Sequence, residues 1–379
     1  MKNTTNKSRR DFITKAVSGS VAAMVAPAVF AGENAFTREI TSTEDVFGAK
    51  RLNFEWVPMD FTIRKMPDVA AVAVDSKDNI YYTTRICPGF GTHVVVLDPQ
   101  GKYLRGIGTA FFKNAHGIAI DKEDNLYVVD TGAHCLYKFK TDGTLLATIG
   151  NPNQPSDSGC INMDFRTIQN SAGPFNFPSK LAIADNGELF VADGYGNARI
   201  HHFSKDGKLL NSWGEPGNGK GEFNVPHGIA VDPDGGDIYV CDRENERIQI
   251  FDQAGKLKTI WNDIWRPCEL VIRDGFAYVA ELGELFYLDN VLYQPGTKHH
   301  HSQIRVFDIA TGKVAAQIGT ADSGEHGSFF ALHCITLTHK NEILAGEVNF
   351  PREDAWISYP EGRGMSHKFH PSLQKFKPV

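Results

Sequence analysis

No two of the six cysteines (Cys87, Cys135, Cys160, Cys241, Cys268 and Cys334) form a CxxC pair. Their spacing therefore assigns them neither to a metal knuckle nor to a disulfide framework. Positive charge is in deficit, with 39 Lys and Arg against 45 Asp and Glu and a net charge of −6. That balance argues against a nucleic-acid binder, which wants a basic face. Long apolar runs are also missing. The one candidate, from Ala16 to Val29, is interrupted by Ser18, Gly19, Ser20 and Pro27 and is short for a membrane span. Stable membrane insertion is not expected.

That run has a different use. It follows SRRDFITKA at 8–16 and contains no acidic residue; small residues stand at Ala26, Ala28 and Ala31. A twin-arginine stretch, an apolar run and a small-residue site read as an export signal over 1–31, cleaved after Ala28 or Ala31. The expected location is the periplasm or the exterior, reached with the twin-arginine translocation machinery as a partner. Residues 1–31 carry Lys2, Lys7, Arg9, Arg10 and Lys15 against Asp11, which leaves about −10 on the remainder.

What the remainder has is a repeat. HGIAIDKEDNLYVVDTG begins at 116, KLAIADNGELFVADGYG at 180 and HGIAVDPDGGDIYVCDREN at 227. Each reads as an apolar strand, an acidic or Gly/Asn turn, a second apolar strand and an acidic residue, the chemistry of a tight hairpin. NARIHHFSKDGKLLNSW at 197–213 and NERIQIFDQAGKLKTIW at 245–261 add a third and fourth strand. Weaker copies begin at 70, 269 and 333, so the six starts lie 46, 64, 47, 42 and 64 residues apart. Four-stranded units of this size close into a ring around a channel. The fold expected for 32–379 is a single all-β domain, a six-bladed β-propeller with insertions near 151–178 and 283–330. One blade must be completed from the other end of the chain, by 50–66 or by the tail after 350.

His116, His227 and His333 recur at one position of units two, four and six. Alternate blades of a six-fold ring are 120° apart, so three imidazoles at the start of the innermost strands converge on the axis. Three histidines with an open fourth position form a catalytic zinc arrangement. Read by the same alignment, the other blades hold Ala70, Lys180 and Glu269 there, so the repeat itself does not demand histidine. His299, His300 and His301 lie in the second insertion, before QIRVFD, and read as a solvated lead-in to a strand.

An acidic residue ends the second strand in five units, as Asp130, Asp193, Asp242, Glu281 and Glu347, with Thr84 in the first. Its recurrence marks a structural cap. The next residue varies: Arg85 in unit one, Arg243 in unit four, and one step further in unit three Tyr195. Two arginines and a tyrosine beside a metal suit a small anionic or peptide-like substrate, since arginine grips carboxylate in a bidentate fork. A cation beside a phenol lowers its pKa and makes it a usable base. Arg199 and Arg247, in N-x-R-I on the third strand, recur with the repeat and are expected to be structural.

At these residues the chain resembles a known family. The NHL-type repeat, the spaced histidines and the stretches FVADGYGNARI and DRENERIQIF are similar to those of peptidyl-α-hydroxyglycine α-amidating lyase, from about Val69 to Glu347. The resemblance implies a zinc-dependent carbon–nitrogen lyase that cleaves a carbinolamide into an amide and glyoxylate. It places His116, His227 and His333 on the zinc ligands, Tyr195 on the catalytic tyrosine, and Arg85 and Arg243 on the active-site arginines. It also implies a structural calcium held by an aspartate after the third histidine. That position is Cys334 here, and Ala331 stands where the family has methionine.

Two other readings use the same residues. One is a different metal-dependent lyase or hydrolase on this scaffold. The other is a non-enzymatic NHL binding propeller, which predicts no metal.

Overall fold

The computed structural model describes residues 52–59, 68–85, 92–108, 111–283, 301–319, 327–348 and 372–379. Residues 1–31, read from sequence as an export signal, lie outside the described residues, as do His299, His300 and Cys87. Six four-stranded antiparallel sheets form the blades of a six-bladed β-propeller. Their innermost strands are Ala71–Val74, Ala115–Ile120, Lys180–Ile183, Pro226–Val231, Pro267–Arg273 and Leu332–Leu337. Among the described residues no helix is long and apolar enough to cross a membrane.

The hairpin chemistry explains the regularity. The turn between the first two strands of each blade places a left-handed residue at one position, as Asp78, Asp124, Gly187, Gly236, Asp274 and Asn341. Asp, Asn and Gly are the residues that tolerate this conformation. The strands themselves are buried on both faces, because each blade packs on two neighbours. Val128, Val191, Val240 and Val279, at the middle of four second strands, are fully buried.

Ring closure uses both ends of the chain. In the sixth blade, Leu332–Leu337 and Ile343–Glu347 are followed by Leu373–Pro378 as third strand and Phe54–Val57 as fourth. Phe54 and Phe376 are buried in the cluster that joins this blade to the fifth. The two segments proposed as alternatives from sequence thus act together.

The acidic residue after each second strand is a cap, as its recurrence suggests. Buried Asp130 accepts the backbone N–H groups of Lys113 and Asn114, and Glu347 those of Phe330 and Ala331. Each carboxylate thereby ties the loop that leads into the innermost strand to the end of the second. In the first blade Asp68 does this from the loop itself, accepting the Thr84 hydroxyl. Arg247 is structural too: it binds Asp242 at 2.6 Å and the carbonyls of Asn218, Gly219 and Glu222.

Candidate metal centre

Each predicted histidine is the second residue of its innermost strand and sits where the ladder skips a residue. The register breaks between Ala115 and Gly117, between Pro226 and Ile229, and between Leu332 and Cys334. A bulge re-aims the extra side chain, and here it aims three imidazoles at the axis. Their ring centroids are 4.7–5.2 Å apart, and all three are buried.

Strand pairing corrects the register read from sequence for two blades. The fifth blade breaks between Pro267 and Glu269, which puts Cys268, not Glu269, level with the histidines. In the third blade Lys180 pairs with Ala192, so its histidine-level residue is Ser179. The ring at this level is Ala70, His116, Ser179, His227, Cys268 and His333. Lys180 and Glu269 stand one step further along the channel.

Neighbouring blades fix the imidazoles. His116 Nδ1 lies 2.9 Å from the Ser179 carbonyl, His227 Nδ1 2.6 Å from that of Cys268, and His333 Nδ1 2.8 Å from that of Ala70. A carbonyl only accepts, so each Nδ1 carries the proton and each Nε2 presents a lone pair. Burial holds all three pKa values well below the ordinary 6.5, and the cations Lys180, Arg85 and Arg243 add to it. The imidazoles are neutral, the ligand form.

These groups fit a divalent ion. The three ligand atoms lie within 4.8 Å of one another; a tetrahedral ion with bonds near 2.0–2.1 Å sets its ligands about 3.4 Å apart, a shift of under ~1 Å per ring. The proton count points the same way. The Tyr195 hydroxyl lies 3.0 Å from His116 Nε2 and 2.7 Å from His227 Nε2, and its one proton cannot serve two lone pairs. A cation among the three nitrogens supplies what is missing. Among the described residues this is the one cluster of three His, Cys, Asp or Glu groups that could hold a metal. At the position implied for a calcium ligand, the Cys334 thiol faces the Val69 carbonyl at 3.5 Å.

The sequence-predicted polar residues gather around the tripod. Gly194 packs so closely on the Pro226 carbonyl that a methyl group would overlap it, and this brings Tyr195 beside His227. The 151–178 insertion holds the tyrosine loop from above: Tyr195 N–H donates to Phe177 O at 3.2 Å, and the Cys160 thiol lies 3.8 Å from Tyr195 O. Burial pushes the Tyr195 phenol above its ordinary value, outweighing Arg243 and Arg85. This is a correction: the cations alone predicted a lowered pKa. Arg243 lies over the Tyr195 ring at 5.4 Å and is anchored through Nε to Glu244 at 2.8 Å. Arg85 is anchored through Nε to buried Asp68 at 2.5 Å.

Two further residues belong here that sequence reasoning missed. Glu244 accepts from Arg266 Nη2 at 2.8 Å as well as from Arg243, so one carboxylate serves two guanidinium groups. Arg243, Arg266, Arg85 and Lys180 face Glu244, Asp68 and Glu269, which leaves one positive charge before any metal is counted. Glu244 was visible in DREN, and Arg266 stands two residues before Cys268; their meeting was not legible, because it depends on how two neighbouring blades pack.

Segments 112–139, 175–203 and 223–251 match the NHL repeat family. The chain is 36% identical over 126 residues to peptidyl-alpha-hydroxyglycine alpha-amidating lyase 1 of Drosophila melanogaster, covering 32% of this chain and 21% of that protein. It is 33% identical over 143 residues to lyase 2 of the same organism, covering 37% and 32%. The chain thus spans between about a fifth and a third of the length of these curated relatives. Among solved structures, a gluconolactonase from Xanthomonas campestris shares the fold at 13% identity and TM-score 0.53, over 91% of this chain and 96% of that one. Virginiamycin B lyase from Staphylococcus aureus does so at 13% identity and TM-score 0.51, over 86% and 100%. At such identities these two likenesses speak for the fold alone. The chain is a six-bladed propeller with three segments that match the NHL repeat, and part of its length is similar to the peptidyl-alpha-hydroxyglycine alpha-amidating lyases.

Proposed function

We propose that this protein is a zinc-dependent lyase that cleaves the C–N bond of a carbinolamide, releasing an amide and glyoxylate. The observation that carries the proposal is the convergence of Tyr195 on two Nε2 atoms of the histidine tripod, with Arg243 over its ring. His116, His227 and His333 would hold the ion, which supplies Lewis-acid polarisation of the substrate hydroxyl. The chain's own groups do the rest. The net cationic pocket binds the substrate carboxylate, with Arg243 and Arg85 held by their carboxylate partners. With the ion's positive charge added to Arg243 and Arg85, Tyr195 would stand as phenolate, and its oxygen would receive the hydroxyl proton as the C=O bond forms. The C–N electrons leave with nitrogen, which takes up one proton, so the reaction consumes no co-reactant.

The test is an N-acyl-α-hydroxyglycine with glyoxylate as readout. The zinc-loaded protein releases glyoxylate; a zinc-loaded protein that releases none overturns the reaction and leaves the metal site standing. Arg243→Lys raises KM on the order of 10-fold with a smaller change in kcat, because a point charge replaces a fork. Steady-state kinetics on the same substrate checks this.

A second reading, another metal-dependent lyase or hydrolase, is favoured by Ala331. This small residue is fully buried with Cys268, Leu282 and Val348 two residues from His333, where the resemblance implies a methionine. A substrate panel separates the two. Export is part of the proposal and rests on SRRDFITKA. Replacing Arg9 and Arg10 together by lysine leaves precursor in the cytoplasm; unimpaired export of that variant overturns the export reading.

A further inference from the structure

One ladder step beyond the histidine level stand Ala71, Gly117, Lys180, Gly228, Glu269 and Cys334. Four of these are small. Lys180 and Glu269 are not, and they meet across the opening. Lys180 is 1% exposed, and its Nζ lies 3.0 Å from Glu269 Oε2 and 2.9 Å from the Ala70 carbonyl. Glu269 Oε2 also accepts the backbone N–H of Ile335 at 3.1 Å. The pair therefore ties the third blade to the first and the fifth to the sixth. Further down, the channel-facing ring is Ala73, Ala119, Ala182, Ala230, Val271 and Thr336. Beyond the pair lies a cavity of about 560 Å³, lined by all six innermost strands and by Glu269.

One atom links this pair to the tripod. The Ala70 carbonyl that accepts from Lys180 also accepts from His333 Nδ1, at 2.8 Å. Ile335, held by Glu269, is two residues past His333 on the same strand. Both ends of the ion pair therefore bear on one metal ligand. We propose that Lys180 and Glu269 form an axial strut that positions His333 for the metal. The strut also separates the metal site from the cavity on the opposite face. The inference rests on the reading of the tripod as a metal centre and adds positioning residues to it. A buried ion pair gains little net stability over an apolar pair of equal size. A positioning role gives this pair a function that stability does not.

The test uses the full chain loaded with Zn²⁺ or Co²⁺. Lys180→Met/Glu269→Met removes both charges and keeps the volume, so the blades still pack. Its expected zinc affinity, from competition with a chromophoric chelator, is 10–100-fold below that of the unchanged protein, the range seen when groups behind a metal ligand are altered. Its Co²⁺ visible spectrum changes in intensity, because the His333 leg is no longer fixed. Should the double variant fail to fold, Glu269→Gln and Lys180→Gln carry the same test: each keeps hydrogen-bonding capacity, loses a charge, and binds zinc several-fold more weakly. Lys138→Met, which removes a pair with Asp121 on the second blade, serves as the control and binds zinc normally. Folded variants with unaltered zinc affinity and Co²⁺ spectrum overturn the strut alone. An unchanged protein that takes up neither ion overturns the metal centre and the strut with it.

Discussion

Phenylalanine in place of Tyr195 leaves the fold and the metal content intact and lowers turnover by about 10²–10⁴-fold, the usual contribution of a positioned acid or base. The ring survives the change, and with it the edge-on contacts to His116 and His227, each with centroids 5.3 Å apart. Only the oxygen is lost. Among the described residues that atom is the one polar side-chain group hydrogen-bonded to two Nε2 atoms of the tripod, and so the one placed to move a proton of a substrate hydroxyl held there. Metal analysis and kcat on the same sample separate chemistry from binding. A Tyr195→Phe enzyme with full turnover removes the tyrosine from the mechanism. One with lost metal makes the hydroxyl a structural member of the site instead.

The parts of this architecture that were legible in sequence are those written locally. Hairpin turns are specified by four or five adjacent residues, so HGIAIDKEDNLYVVD and its copies declared the blades and their number. The histidines were legible because they recur at one place in the copies. What the sequence did not reveal depends on backbone geometry or on distant segments. The third and fourth strands of the sixth blade come from Leu373–Pro378 and Phe54–Val57, with no turn to join them and therefore no hairpin signal. The units were aligned on their first strands, whereas the level of each residue is set by cross-strand pairing, which places Lys180 opposite Ala192 and Glu269 opposite Ala280, one step past the histidine level. The meeting of Lys180 with Glu269 has no sequence signature, because non-adjacent blades bring the two together across the axis. The pKa of Tyr195 was misjudged for a related reason. The arginines beside it were visible in sequence, but the depth of its burial, which outweighs them, was not.

Alanine at His116, His227 or His333 abolishes stable metal binding, with a loss beyond the 10–100-fold that changes behind a ligand produce. The three variants do not cost the fold equally. Each removes the imidazole donor from a carbonyl in the next blade, and a buried acceptor left without its partner costs about 1–3 kcal/mol. His116 serves Ser179 and His227 serves Cys268. The Ala70 carbonyl served by His333 keeps the Lys180 ammonium as a donor. His333→Ala is therefore the mildest of the three in denaturant unfolding of the metal-free protein, while its metal loss matches the others. Adding zinc at 1,000 times its Kd raises the stability of the unchanged protein by about 4 kcal/mol through mass action, and leaves all three variants where they were. Equal destabilisation of the three would show that Lys180 does not support the Ala70 carbonyl. A zinc-dependent rise in stability that persists in any one alanine variant would remove that histidine from the ligand set.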